Sequence, residues 1–81
     1  MIKKYNNRQN IAGDFIKEAL RKNKMKKIEL SRRLQLIGVS ISSDELLLME
    51  KGKMLIKDFE IVAIAVVLNL DLNNLKNYLD N

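Results

Sequence analysis

The forty residues from Lys26 to Ala65, KKIELSRRLQLIGVSISSDELLLMEKGKMLIKDFEIVAIA, decide the fold. Within them Leu30 and Leu34 stand four apart, the spacing of one helix face, with small Ser31 beside them where a close approach tolerates nothing larger. Arg32 and Arg33 face the other way. Gly38 permits the positive φ of a sharp turn. Val39 and Ile41 follow as core plugs, Ser42 is a suitable N-cap, and a helix is expected from Ser42 to about Glu50 with Leu46 and Met49 buried. Gly52 ends that helix as glycine does just beyond a C-terminus. Another helix starts near Asp58 and is apolar on nearly every face from Ile61 through Leu68, which predicts burial on more than one side.

Upstream, Ile11, Ala12, Phe15, Ile16, Ala19 and Leu20 recur at spacings of three and four, predicting a first helix from Asn10 to about Lys22. Asn23, which tolerates the left-handed conformation, is the expected stop, and the next helix begins near Lys26. Residues 1–9 are polar and Asn-rich without an apolar face and read as a flexible arm, leaving 10–81 as the folded domain. Downstream, Asp71 caps a short last helix whose Leu72, Leu75 and Leu79 are expected to pack back onto the core. The chain has no proline, and the expectation is five short helices and no strand, a compact all-α domain.

A chain of 81 residues with 47% hydrophobic residues supports one small core. It has neither cysteine nor histidine, which removes disulfides, thiolate nucleophiles, the usual transition-metal ligands and the commonest general base. No metal and no cofactor are expected, and an enzyme is the least favoured class. The neighbouring carboxylates Asp58 and Glu60 sit where a helix start wants them, so capping accounts for them. The start of the chain turns polar straight after Ile2, unlike a signal peptide, and the longest apolar run, Ile61 to Leu68, is eight residues, far below the roughly 20 of a membrane span. A cytoplasmic protein without membrane contact is the expectation.

Charge is unevenly placed. Residues 1–33 hold eleven Lys or Arg against Asp14, Glu18 and Glu29, while residues 34–81 hold four against seven acids, so one half is strongly basic within a net +5. A basic half on a small domain is the electrostatic footprint of a phosphate-backbone binder. Phe15 and Phe59 read as core residues, and with only two tyrosines besides them a base-stacking platform is not expected.

Several segments resemble the Cro/C1-type (xenobiotic-response-element, lambda-repressor-like) helix-turn-helix proteins: GDFIKEALRKNKM for the first helix, ELSRRLQLIGVSIS for the second helix and turn, LLLMEKGK for the end of the recognition helix, and DFEIVAIAVVLNLDL for the last two. The most specific matches are Glu50-Lys51-Gly52-Lys53 and Asp58-Phe59-Glu60. The resemblance covers roughly Gly13 to Leu75. It implies a five-helix fold, a homodimer on double-stranded DNA, and a role in transcriptional control, most often as a repressor.

Carried over residue by residue, the resemblance places Lys26, Lys27, Arg32, Arg33, Lys51 and Lys53 on phosphates and turns Ser42, Ser43, Asp44, Leu47 and Leu48 toward bases. Lys27 stands where the family usually has a glutamine, which keeps attraction for a phosphate and loses the paired amide contact. Ser43 can touch either edge type, Asp44 can accept from a cytosine amine, and Leu47 or Leu48 can cover a thymine methyl, but none offers the bidentate pairing of Arg to guanine or Asn to adenine. Asp44 and Glu45 stabilise the positive end of a helix and repel a polyanion. Two adjacent leucines on that face, with Val66 where the family usually shows a charge, suggest an alternative: a protein-interaction module on the same scaffold, an antirepressor or regulator partner, contacting protein through Leu47, Leu48 and the surface of the last two helices.

Overall fold

The computed structural model describes residues 4–79. Among them run α1 (Gly13–Lys22), α2 (Lys27–Leu36), α3 (Ser43–Glu50), α4 (Asp58–Leu68) and a terminal 3-10 helix (Leu72–Tyr78), with no strand beyond an isolated bridge between Tyr5 and Arg8. The chain is all-α. No helix among the described residues is long and apolar enough to cross a membrane.

All four α-helices stop by the same device. An N–H just past the end, three residues on for α1 to α3 and two for α4, bonds back five residues: Met25 to the Leu20 carbonyl at 3.0 Å, Val39 to Leu34 at 3.0 Å, Lys53 to Leu48 at 2.9 Å, and Leu70 to Ala65 at 2.9 Å. This Schellman closure needs a left-handed residue in between, supplied by Lys24, Gly38, Gly52 and Asn69. Gly38 and Gly52 were the expected stops. At the first helix the left-handed residue is Lys24 rather than Asn23, because Asn23 turns its amide back onto the Ala19 carbonyl at 2.8 Å and keeps a helical φ of −86°. The turn therefore falls one residue later, on a side chain that tolerates it less well.

Ile16, Leu30, Leu34, Leu46, Met49 and Ile64 are fully buried and form the centre of the core, with Ile41 plugging it from the turn. α2 packs on α3 and α4, α1 packs on the same pair, and the 3-10 helix closes over α1. There Tyr78 meets Phe15, ring centroids 5.5 Å apart.

Four expectations need correction. α1 begins at Gly13, not Asn10, because the Asn10 side chain accepts the Gly13 N–H at 2.7 Å and so holds the chain just outside the helix. α4 is covered on one side only: Phe59, Val62 and Val66 are 56%, 51% and 67% exposed and share one stripe. α1 and α2 are the helices packed most closely against it, and they leave the Phe59, Val62 and Val66 stripe open. Phe59 is thus outside the core, with the Lys57 ammonium 5.9 Å from its ring centre. Leu79 lies past the end of the 3-10 helix and is exposed, whereas Leu75 packs as expected. Finally, residues 5–9 are not a free arm. Tyr5 and Arg8 exchange backbone hydrogen bonds, and the Gln9 N–H donates to the Gly52 carbonyl at 2.8 Å. Residues 1–3 of the expected arm lie outside the described residues.

Candidate nucleic-acid interface

α2, the turn at Gly38 and α3 form a braced unit. The Ser31 hydroxyl donates to the Ile41 carbonyl, tying the middle of α2 to the chain entering α3, which is why this position holds a small polar residue. Ser42 then caps α3: its hydroxyl accepts the Glu45 N–H at 3.1 Å while the Glu45 carboxylate accepts the Ser42 N–H at 3.0 Å. With Leu46 and Met49 locked in the core, the opposite side of α3 presents Asp44, Leu47, Leu48 and, one turn on, Lys51, all exposed. Ser43 is half-buried and Ser42 exposed.

The C-terminal end of α3 is held from far away in sequence. Glu50 points inward, its side chain only 7% exposed, and Lys27 Nζ meets its carboxylate at 3.1 Å. Arg8 Nη2 donates to the Glu50 carbonyl at 2.9 Å, and Asn10 Nδ2 donates to the Met49 and Met54 carbonyls at 3.0 and 2.7 Å. α1 approaches so closely that a Cβ on Gly13 would stand 2.1 Å from the Met49 carbonyl oxygen. Three groups here escaped sequence reasoning. Glu50 did leave a signal, being a carboxylate four residues from buried Leu46 and beside buried Met49, a position where a charge needs a partner. Asn10 left a weaker one, three residues before a helical N–H, and Arg8 left none.

The cations expected on phosphates divide accordingly. Lys26, Arg32, Lys51 and Lys53 are exposed and make no ion pair among the described residues. Arg33 pairs with Glu29 at 2.7 Å one turn away, but both ends are exposed, and such pairs are worth about 0–1 kcal/mol, so a phosphate can displace it. Lys27 is different, because its ammonium already serves the Glu50 carboxylate. Taking its ammonium to a phosphate would leave the buried Glu50 carboxylate uncompensated, a larger penalty than a surface phosphate contact returns. Elsewhere in the basic half, Arg21 is bound to Glu18. Its guanidinium hydrogen-bonds the carboxylate, holding Glu18 below its usual pKa and raising that of Arg21.

What remains is a surface with exposed cations on α2 and at both ends of the unit, around an outer face of α3 that is acidic at Asp44 and apolar at Leu47 and Leu48. Such a surface suits phosphates through its rim better than base edges through its centre. Among the described residues no group of three or more acidic side chains converges as a metal ion would need. No family model, curated protein or solved structure matches the chain.

Proposed function

We propose that the protein is a DNA-binding transcriptional regulator of the Cro/C1 helix-turn-helix type, a cytoplasmic repressor that binds double-stranded DNA as a homodimer. α2 and α3 are the helix-turn-helix, with Lys26, Arg32, Arg33, Lys51 and Lys53 on phosphates and Ser42, Ser43, Asp44, Leu47 and Leu48 facing the major groove. The observation that carries this reading is the braced α2–turn–α3 unit rimmed by the exposed cations Lys26, Arg32, Lys51 and Lys53, which make no ion pair among the described residues. A face this poor in base-reading groups makes nonspecific affinity a large share of the total. Fluorescence anisotropy on mixed-sequence duplex DNA, over a salt series, is the test. A steep salt slope that flattens when Arg32 and Arg33 are both changed to Ala supports the assignment, and absence of binding at low salt by folded protein removes it.

A second reading keeps the scaffold and gives its surface to protein. It is favoured by Leu47 and Leu48, 39% and 42% exposed, together with the bare Phe59, Val62 and Val66 stripe on α4. Here the chain is an antirepressor or a regulator's partner. Leu47→Asp with Leu48→Asp should then abolish association while circular dichroism stays native, and undiminished association by that variant rejects this reading.

A further inference from the structure

The bare stripe on α4 has a groove beside it. Phe59, Val62 and Val66 follow one another at spacings of three and four, so they form a single ridge along the helix. Alongside its C-terminal half lies an open groove of about 540 Å³, lined by Val62, Ala65, Val66, Leu70, Asp71 and Leu72. Small Ala65 leaves room there, and the chain reversal at left-handed Asn69 brings Leu70 and Leu72 into the lining. Ridge and groove are arranged for self-pairing. Phe59 and Val66 lie almost equally far from Val62 along the helix. A two-fold axis beside Val62 therefore sets a second α4 antiparallel to the first, with Phe59 over the partner's Val66 and Val62 against its own copy.

The charges agree with that direction. At the N-terminal end of the ridge the Lys57 ammonium lies 5.9 Å from the Phe59 ring centre, while the Asp58 carboxylate is turned back onto the Phe59 N–H at 2.6 Å. At the other end exposed Asp71 lines the groove. Antiparallel pairing brings Lys57 of each copy toward Asp71 of the other, twice over, and sets the positive end of each helix beside the negative end of its neighbour. A parallel pair brings like ends together. The three ridge side chains make a patch of a few hundred Å² per copy, below the roughly 800 Å² per partner of a standard interface, so the pairing should be weak and concentration-dependent.

We infer that the outer face of α4 is a two-fold docking surface for a second copy of this chain, α4 antiparallel to α4, with Val62 on the axis and Phe59 seated at the partner's groove. The inference rests on the homodimer in the reading above and names its surface.

The chain has no cysteine, so single introduced thiols report the geometry without background. Equilibrium sedimentation of the full chain should show monomer and dimer in exchange. Val62→Asp, checked for native circular dichroism, should weaken the dimer about 100-fold by placing two carboxylates at the axis. Under mild oxidation Val62→Cys should give a disulfide-linked dimer, because its two copies face each other. Val66→Cys should not, although Val66 is the more exposed, since its copies stand about 10 Å apart along the helix axes. Val66→Cys linking as fast as Val62→Cys overturns the antiparallel placement. A dimer that survives Val62→Asp overturns the inference and leaves the homodimer to another surface, and a wild type that stays monomeric at millimolar concentration overturns both. DNA binding is read separately by anisotropy. If folded wild type pairs and crosslinks as described but does not bind duplex DNA at low salt, the inference stands and the DNA-binding reading falls.

Discussion

The two ends of α3 are held by opposite means. Its first turn is capped within four residues by the Ser42 and Glu45 box, and the one longer-range side-chain brace beside it among the described residues is the Ser31 hydroxyl on the preceding Ile41 carbonyl. Its exit is fixed by Arg8, Asn10, Gly13 and Lys27, which arrive from two other parts of the chain across sequence separations of 39 to 44 residues for the hydrogen bonds of Arg8 and Asn10. The difference sets how α3 is held. Tertiary contacts fix where α3 ends, while a local capping box holds its first turn, so substitutions at the two ends should be felt over different ranges.

The sharpest way to break the anchor is Gly13→Ala. The new methyl would stand 2.1 Å from the Met49 carbonyl and 2.7 Å from Arg8 Nη2, so α1 and α3 must separate backbone from backbone. A loss of about 3 kcal/mol, or about 15 °C in melting temperature, is expected by thermal unfolding, although alanine is intrinsically the better helix former. Lys27→Met comes next. It strands the Glu50 carboxylate, and because Lys27 is itself one-third exposed the cost should be about 2 kcal/mol, below that of a fully buried pair. Adding Glu50→Leu to that variant should restore most of the stability in urea titration, since the penalty is the orphaned charge rather than the lost attraction. At the entrance, Ser42→Ala removes one cap acceptor and should cost about 1 kcal/mol. Hydrogen exchange should show that loss confined to the first turn of α3, whereas the exit variants should loosen α1 and α3 together.

The same contrast explains what the sequence disclosed. The entrance was legible because its cues are local: Ser42 as the cap, Gly38 and Gly52 at the stops, and Leu30, Leu34, Leu46 and Met49 at helical spacing, all found where expected, with the reciprocal Glu45 contact of the capping box added by the structure. The exit was not, because no period links Arg8 or Asn10 to residues some forty positions away. The outer face of α4 was unreadable for another reason. Val62 and Val66 are as apolar as buried Ile64, and periodicity cannot choose a side on a helix that is apolar all round. Only the packing of α1 and α2 on one flank makes that choice, and it leaves Phe59 in solvent. Of the interface, the exposure of the cations was legible from their helical positions, whereas the withdrawal of Lys27 depended on the unforeseen burial of Glu50.

The smallest expected effect on stability carries the most information about function. Asp44 is exposed in the first turn of α3, where a carboxylate stabilises the positive end of the helix by about 0.3 to 1 kcal/mol. Asp44→Asn keeps the shape and removes the charge, so the melting temperature should fall by only about 2 °C. If α3 enters a major groove, the same change removes a repulsion from the point of closest approach to a polyanion. DNA affinity should then rise severalfold at low salt, with the gain shrinking as salt screens it. If the outer face of α3 is a protein surface and DNA is held only by the basic rim, the carboxylate lies away from the phosphates and affinity should stay at its wild-type value. One neutral substitution in the first turn of α3 thus separates a groove reader from a scaffold whose α3 faces a protein, and it does so without disturbing the exit of the helix on which either use depends.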